Sequence, residues 1–329
     1  MSRRGALLAA ILLITGCSRS EPPTTTTPTP STFKVALLSP GPVSDAGWNA
    51  LAYEGLLAIR DQLGAEIAQV QTSTPAQFEE GFRDFARRGF NLIFGHGFEF
   101  QDAAAAVAPD FPNTVFITTS GNTVRPNVAP LRFMLEEATY LEGMLTAAMS
   151  KSGKAGAVGG MAIPSVKSTI LAYTAGAQAV HAQFQVVTSY VGNWDDVGAA
   201  KEASLALIEQ GADVLFHNAD AAGLGVFQAA QDRSVWAFGA NKDQNAIAPS
   251  VILASAVIDI PRAFVAVAKQ VKEHTFVAKV EKLGMRDGVV SLVYNPALVD
   301  RIPADAKARV DAAQQDILSG KLVVPSAEF

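Results

Sequence analysis

From Phe33 onward the chain alternates short β-branched apolar runs with amphipathic stretches, and this alternation admits few folds. The runs are Val35 to Leu38, Leu92 to Phe94, Val115 to Ile117, Ala155 to Val158, Val186 to Val191, Val214 to Phe216, Val235 to Phe238 and Val251 to Leu253. A strand that is apolar on both faces has to be covered on both. Such runs separated by helical patterns therefore predict parallel sheets with helices packed on each side, an α/β fold. One helical pattern sets Phe78, Phe82 and Phe85 at i, i+4 and i+7, with Arg83, Arg87 and Arg88 on the other face. That stripe predicts a core face rather than a ligand surface, as do Leu145, Ala148 and Met149.

A break near Ser150 to Gly153 follows a long helical segment, Glu136 to Met149, and precedes a fresh strand that starts at Lys154. It divides the body into a first lobe over 33–150 and a second over 151–255, with 256–329 crossing back between them. A body of roughly 300 residues suits two such lobes. Ligands of open α/β sheets sit beyond the carboxyl ends of the strands. In a two-lobed protein those ends face one cleft, with a hinge between the lobes.

The start of the chain has a different character. Arg3 and Arg4 precede an apolar run from Ala6 to Ile14, then Thr15, Gly16 and Cys17. The run is shorter than the roughly 20 apolar residues of a membrane-spanning helix. It reads as a secretory signal peptide over 1–16. Cys17 is the chain's one cysteine, so no intrachain disulfide can form, and Leu13-Ile14-Thr15-Gly16-Cys17 resembles a lipobox. Lipidation of Cys17 is expected, placing the exported protein at the cell membrane or in the periplasm. Residues 17–32, rich in Ser, Thr and Pro, are expected to form a flexible spacer, because such a composition cannot bury enough surface to offset ordering. The formal net charge of −5 and the lack of basic clusters argue against nucleic acid as a partner.

Motifs for chemistry are sparse. His96, His181, His217 and His274 show no metal-ligand spacing, and there is no P-loop, G-x-S-x-G elbow or H-E-x-x-H. Gly95-His96-Gly97 and Gly223-Leu224-Gly225 each follow a strand but lack the third glycine of a dinucleotide fingerprint, so close backbone approach is the better reading. No metal and no cofactor are expected. The strand-end loops are richer. They hold Asp45, Trp48 and Asn49; His96, Gly97 and Phe98; Trp194, Asp195 and Asp196; His217, Asn218 and Asp220; and Asn241, Lys242 and Asp243. Aromatic side chains facing one another across a cleft can sandwich a planar ligand while Asp and Asn read its edge.

Several segments, in order, resemble a known family. Ser44-Asp45-Ala46-Gly47-Trp48-Asn49 is similar to a D-x-S-F-N segment, and Glu136 to Gly143 (EEATYLEG) to an E-E-x-x-Y-L-x-G helix. Gly159 to Pro164 (GGMAIP) resembles a G-G-M-x-I-P turn. Tyr190 to Asp196 (YVGNWDD) and Gly211 to Phe216 (GADVLF) resemble Y-V-G-S-F-x-D and G-A-D-V-I-F. These belong to the basic membrane protein lipoproteins, which include purine nucleoside receptors. The resemblance implies a type I periplasmic-binding-protein fold with two Rossmann-like lobes, and delivery of a purine nucleoside or related compound to an ABC permease. It puts Trp48 in the place of a stacking aromatic, with Asp45 and Asn49 as polar residues beside it. Phe216 or Trp194 supplies the opposing ring, and the sequence leaves both open.

Three positions depart from the family pattern. An aspartate expected after Val115 to Thr119 is Ser120, the aspartate of a G-V-D-x-D-Q motif is Asn241, and a lysine expected after the Val251 run is Ile258. The resemblance makes the last two partners of ribose hydroxyls. A hydrogen bond to a charged group contributes roughly 1.5–3 kcal/mol against about 1 for a neutral one. The expected ligand is therefore planar and weakly charged, with a free nucleobase nearly as well suited as a nucleoside. Its expected contacts are Asp45, Trp48, Asn49, Gly97, Phe98, Ser120, Trp194, Phe216, Asn218, Asp220, Asn241 and Asp243. The alternatives are a receptor for a sugar or another small polar metabolite, a nucleoside-processing enzyme using Asp45 and Asp220 as acid and base, and a surface adhesin.

Overall fold

Residues 32–45 and 47–328 are described by a computed structural model. The signal peptide, Cys17 and nearly all of the spacer lie outside the described residues.

The chain opens with β1 (Lys34–Ser39), α1 (Trp48–Leu63), β2 (Glu66–Gln71), α2 (Pro75–Arg87), β3 (Leu92–Gly95), α3 (Gln101–Val107), β4 (Val115–Thr119) and β5 (Val128–Phe133). After α4 (Glu136–Met149) come β6 (Lys154–Gly159), α5 (Pro164–Val180), β7 (Gln185–Tyr190), α6 (Val197–Glu209), β8 (Val214–Asn218), α7 (Gly223–Arg233), β9 (Trp236–Asn241) and β10 (Ile252–Ile258). The remainder is α8 (Ile260–Lys272), β11 (Glu281–Leu283), β12 (Val290–Tyr294) and α9 (Ala304–Ser319). All eight apolar runs of the sequence are strands.

Two six-stranded sheets result, ordered β11-β5-β4-β3-β1-β2 and β12-β10-β9-β8-β6-β7. Every pairing between these strands is parallel except β10 with β12, so the second sheet carries one antiparallel edge that the expectation of parallel sheets omits. Each sheet is a doubly wound α/β unit with helices on both faces, the type I periplasmic-binding-protein architecture. After β10 the chain returns to the first sheet as β11 and then to the second as β12. The strand β10 runs straight through residue 255, where the sequence places a boundary.

Period-two alternation sorts the strand side chains between layers. In the first sheet Ala36, Leu38, Ile93 and Phe116 join Phe78, Phe82 and Phe85 of α2 in one apolar cluster. Their neighbours Val35, Leu37, Leu92, Phe94 and Ile117 face a larger core that also takes Ala155, Val214, Phe216 and Phe238 of the second sheet. Phe94 stacks on Phe264 of α8 with ring centroids 4.0 Å apart. The helix α2 begins with a capping box, Thr74 and Gln77 satisfying each other's backbone N–H, and Pro75 fills its first turn. Outside, Arg83 and Arg88 bond Asp110 and Asp84.

The helix pair α4 and α5 joins the two halves. Neither side of their contact has room for a side chain: a Cβ on Gly143 would run into the Tyr173 carbonyl, and one on Gly176 into the Tyr140 carbonyl. Both obstacles are backbone, which cannot swing aside. Ala in place of Gly stabilises an unobstructed helix by about 1 kcal/mol, whereas overpacking a tight contact costs about 1–3 kcal/mol. Gly143→Ala is therefore expected to lower the thermal unfolding temperature, and a rise would show that α4 and α5 are not held this closely.

Candidate ligand-binding site

The carboxyl ends of strands from both sheets converge on a cleft of about 630 Å³, part of it open to solvent. Of the residues expected from sequence, Trp48, Gly97, Phe98, Ser120, Trp194, Asn218, Asp220 and Asn241 line it, as does Ile258. Asp45, Asn49, Phe216 and Asp243 do not.

Trp48 opens α1 and is half-buried. Its indole stacks on His96 with centroids 4.1 Å apart and planes at 22°, and meets the edge of Phe133 at 5.9 Å. Burial drives the His96 imidazole down to about 3, so the ring is neutral. A carbonyl can only accept, so Nε2 carries the hydrogen and donates to the Trp48 carbonyl at 3.0 Å, which leaves Nδ1 to accept from the Thr119 hydroxyl at 3.3 Å. His96 is thus a rigid backing for Trp48. Trp194 reaches the cleft from the loop after β7, lying so close over Gly160 that a Cβ there would strike its ring.

Asp45 builds the loop instead of facing the cleft. Its Oδ1 accepts from the backbone N–H groups of Gly47 and Ala50 at 3.0 and 2.9 Å, and its Oδ2 from Asn49 N and Nδ2 at 2.8 and 2.7 Å. Both oxygens are spent on starting α1. Asn49 is buried, and its Nδ2 also reaches Asp220 Oδ2 at 3.3 Å. Asp220 comes from the second sheet, in a left-handed conformation with φ 53°, and its Oδ1 accepts from Trp48 N at 2.9 Å. Glycine at 47 makes this approach feasible, since a Cβ there would sit 2.6 Å from that oxygen. A residue of one half therefore caps a helix of the other. Nearby, Lys242 bonds Glu54 of α1 at 2.7 Å rather than entering the cleft.

Phe216 corrects one of the two candidates for the opposing ring. It shares a strand face with Asn218 but stands two residues, roughly 6–7 Å, further from the strand end. There it is fully buried and stacks on Tyr173 of α5 at 4.7 Å and 19°. Asp243 is exposed and its carboxylate accepts from Asn245 N at 3.0 Å. Asn241, at φ 69°, donates to Asn218, which donates to Thr169. Sequence reasoning missed Glu99, Phe133, Leu135, Ile163, Ser165 and Thr169, which also line the cleft. Glu99 adjoins Gly97 and Phe98 and is the one charged residue of its turn, the signal by which it could have been found. No group of three or more metal-ligating side chains occurs among the described residues.

Two doubly wound halves with one cleft at their strand ends are the architecture of a protein that binds a small molecule between its halves. The chain belongs to the Bmp family, described as ABC transporter substrate-binding protein PnrA-like, which matches residues 32–328. It is 30% identical over 293 residues to a purine-binding protein of Brucella abortus, covering 88% of this chain and 82% of that protein. It is 26% identical over 343 residues to the ABC transporter nucleoside-binding protein BmpA of Lactococcus lactis, covering 97% and 96%. Among solved structures, an ABC transporter solute-binding protein of Conexibacter woesei superimposes with a TM-score of 0.73 at 29% identity, over 90% of this chain and all of that one (100%).

Burial and the adjacent Asp45 charge hold the Asp220 carboxyl well above the usual carboxylate range, against the opposing bond from Trp48. A folded-state value that is raised stabilises fully below the ordinary value near pH 4, and the contribution is lost as pH climbs toward the raised one. Asp220→Asn keeps an oxygen for Trp48 N and has no proton to lose. Its unfolding temperature relative to the wild type's should rise as pH increases above 4. Parallel profiles for the two proteins would remove this role.

Proposed function

We propose that this substrate-binding protein captures a purine nucleobase or nucleoside, stacking it between Trp48 and Trp194, and hands it to an ABC permease. The observation that carries the reading is that one half contributes Trp48 and the other Trp194 to a single cleft whose lining includes no Lys, Arg or His. Two indoles offer flat apolar faces to a planar heterocycle, and a lining without cations gives no reward to a phosphate. The names of the Brucella abortus and Lactococcus lactis relatives point to the same ligand class.

The three departures from the family pattern, Ser120, Asn241 and Ile258, all line the cleft. With a neutral amide and an alkyl group in place of charged ribose partners, the sugar adds little affinity, so a free base is bound about as well as its nucleoside. Binding without catalysis is favoured because Asp45 and Asp220, the acid and base an enzyme would draw on, both have their oxygens engaged at the start of α1. Asp220 and Lys242 of the second half already contact α1, and hinge opening would break these contacts. The body works outside the cytoplasm, tethered by lipid on Cys17. No helix among the described residues is long and apolar enough to cross a membrane.

Titration calorimetry against adenine, guanine, their nucleosides, and glucose tests the ligand. Heat with purines only, and base and nucleoside affinities within about tenfold of each other, are expected. Stacking contributes about 1–3 kcal/mol per base, so Trp48→Ala should weaken binding by roughly 5- to 150-fold. Heat with glucose alone would overturn the reading. For the tether, Cys17→Ser is expected to move the protein from the membrane fraction to the soluble one, and an unchanged distribution would remove Cys17 as its attachment.

A further inference from the structure

Glu99 is a carboxylate in the ligand cleft whose capacity the fold leaves open. It follows β3 on the same turn as Phe98 and, like Trp48, lines the cleft. Its side chain folds back over Gly97, so closely that a Cβ on Gly97 would collide with the carboxylate. The carboxylate is thus held against its own turn, at the lining of the cleft. Its partners do not use it up. No ion pair involves Glu99 among the described residues, and no cation lines the cleft. Burial raises its carboxyl above the usual range, with its own backbone N–H pulling the other way.

The contrast with Asp220 is informative. Asp220 is the other lining carboxylate, and its oxygens are engaged by Trp48 N and Asn49 Nδ2. The remaining polar lining, Ser120, Ser165, Thr169, Asn218 and Asn241, is neutral. A carboxylate accepts only, and its two oxygens match a pair of adjacent N–H donors. A half-buried carboxylate lining a cleft rewards a ligand that supplies donors and repels one that presents acceptors.

We infer that Glu99 is the specificity-determining residue of the cleft, and that the preferred ligand is a purine bearing two adjacent N–H donors on one edge, the arrangement of a 2-amino-6-oxopurine. The inference rests on the purine reading above. It ranks the bases: guanine offers two adjacent donors, hypoxanthine one, and adenine a donor beside an acceptor. Each mismatch removes a hydrogen bond to a charged group, which corresponds to about tenfold or more in affinity.

The test is titration of the wild type and Glu99→Gln with guanine, hypoxanthine and adenine, and with their nucleosides. The wild type should bind guanine about tenfold or more tighter than hypoxanthine or adenine. A glutamine amide presents one acceptor and one donor, the complement of adenine's edge. Glu99→Gln should therefore lose about tenfold or more for guanine and gain for adenine, an inversion that a purely structural role would not produce. The wild-type ranking stands as a test even if the variant fails to fold. Purine binding with adenine preferred by the wild type, or with the same ranking in both proteins, overturns the role of Glu99 and leaves the purine reading intact. No binding of any purine by the wild type overturns both.

Discussion

The hydrogen bonds that Asp220 receives from the start of α1 hold the site together. A helix begins with N–H groups that lack partners within it, and here those partners come from two directions. Asp45, in the same loop, takes Gly47, Asn49 and Ala50, while Asp220, from the strand ends of the second sheet, takes Trp48. The backbone of the residue that presents an indole to the cleft is therefore gripped by the opposite half. The orientation of Trp48 and the separation of the two halves are set together. Burying a carboxyl, and doing so beside a second one, is costly, and Asp220 meets that cost by holding its proton more tightly.

Behind this contact the packing is continuous. The inner faces of both sheets, with α4, α5 and α8, contribute to one continuous apolar core, and the reciprocal glycines of α4 and α5 let those helix backbones nearly touch. His96 is part of the same design. A histidine driven neutral by burial, with one nitrogen donating to the Trp48 carbonyl and the other accepting from Thr119, cannot rotate without losing both bonds. The aromatic wall of the cleft is thus mounted on a fixed support.

Much of the fold was legible in the sequence. Fully apolar runs such as Val35 to Leu38 and Val214 to Phe216 can only be strands buried on both faces, and all eight expected runs are strands. The strands that escaped notice lack that signature. The edge strand β2, Glu66–Gln71, exposes much of its surface and reads as polar. Pro130 interrupts the apolar pattern of β5, and β11 is only three residues long. For the site, eight of the twelve expected contacts line the cleft. The other four miss it for two reasons: Asp45, Asn49 and Asp243 are short polar side chains that satisfy nearby groups, and Phe216 stands two residues too deep in its strand.

By itself the sequence determined the alternation of strands and helices, the parallel sheets and the loops in which a site had to lie, because these follow from local hydrophobic periodicity. Only the tertiary structure decided which polar groups are spent and which are open. Asp45, Asp220 and Glu99 are equally acidic on paper, yet Asp45 and Asp220 complete the first turn of α1, while Glu99 lines the cleft without an ion pair among the described residues. That distinction depends on neighbours up to 172 residues apart in the chain, and no local pattern encodes it.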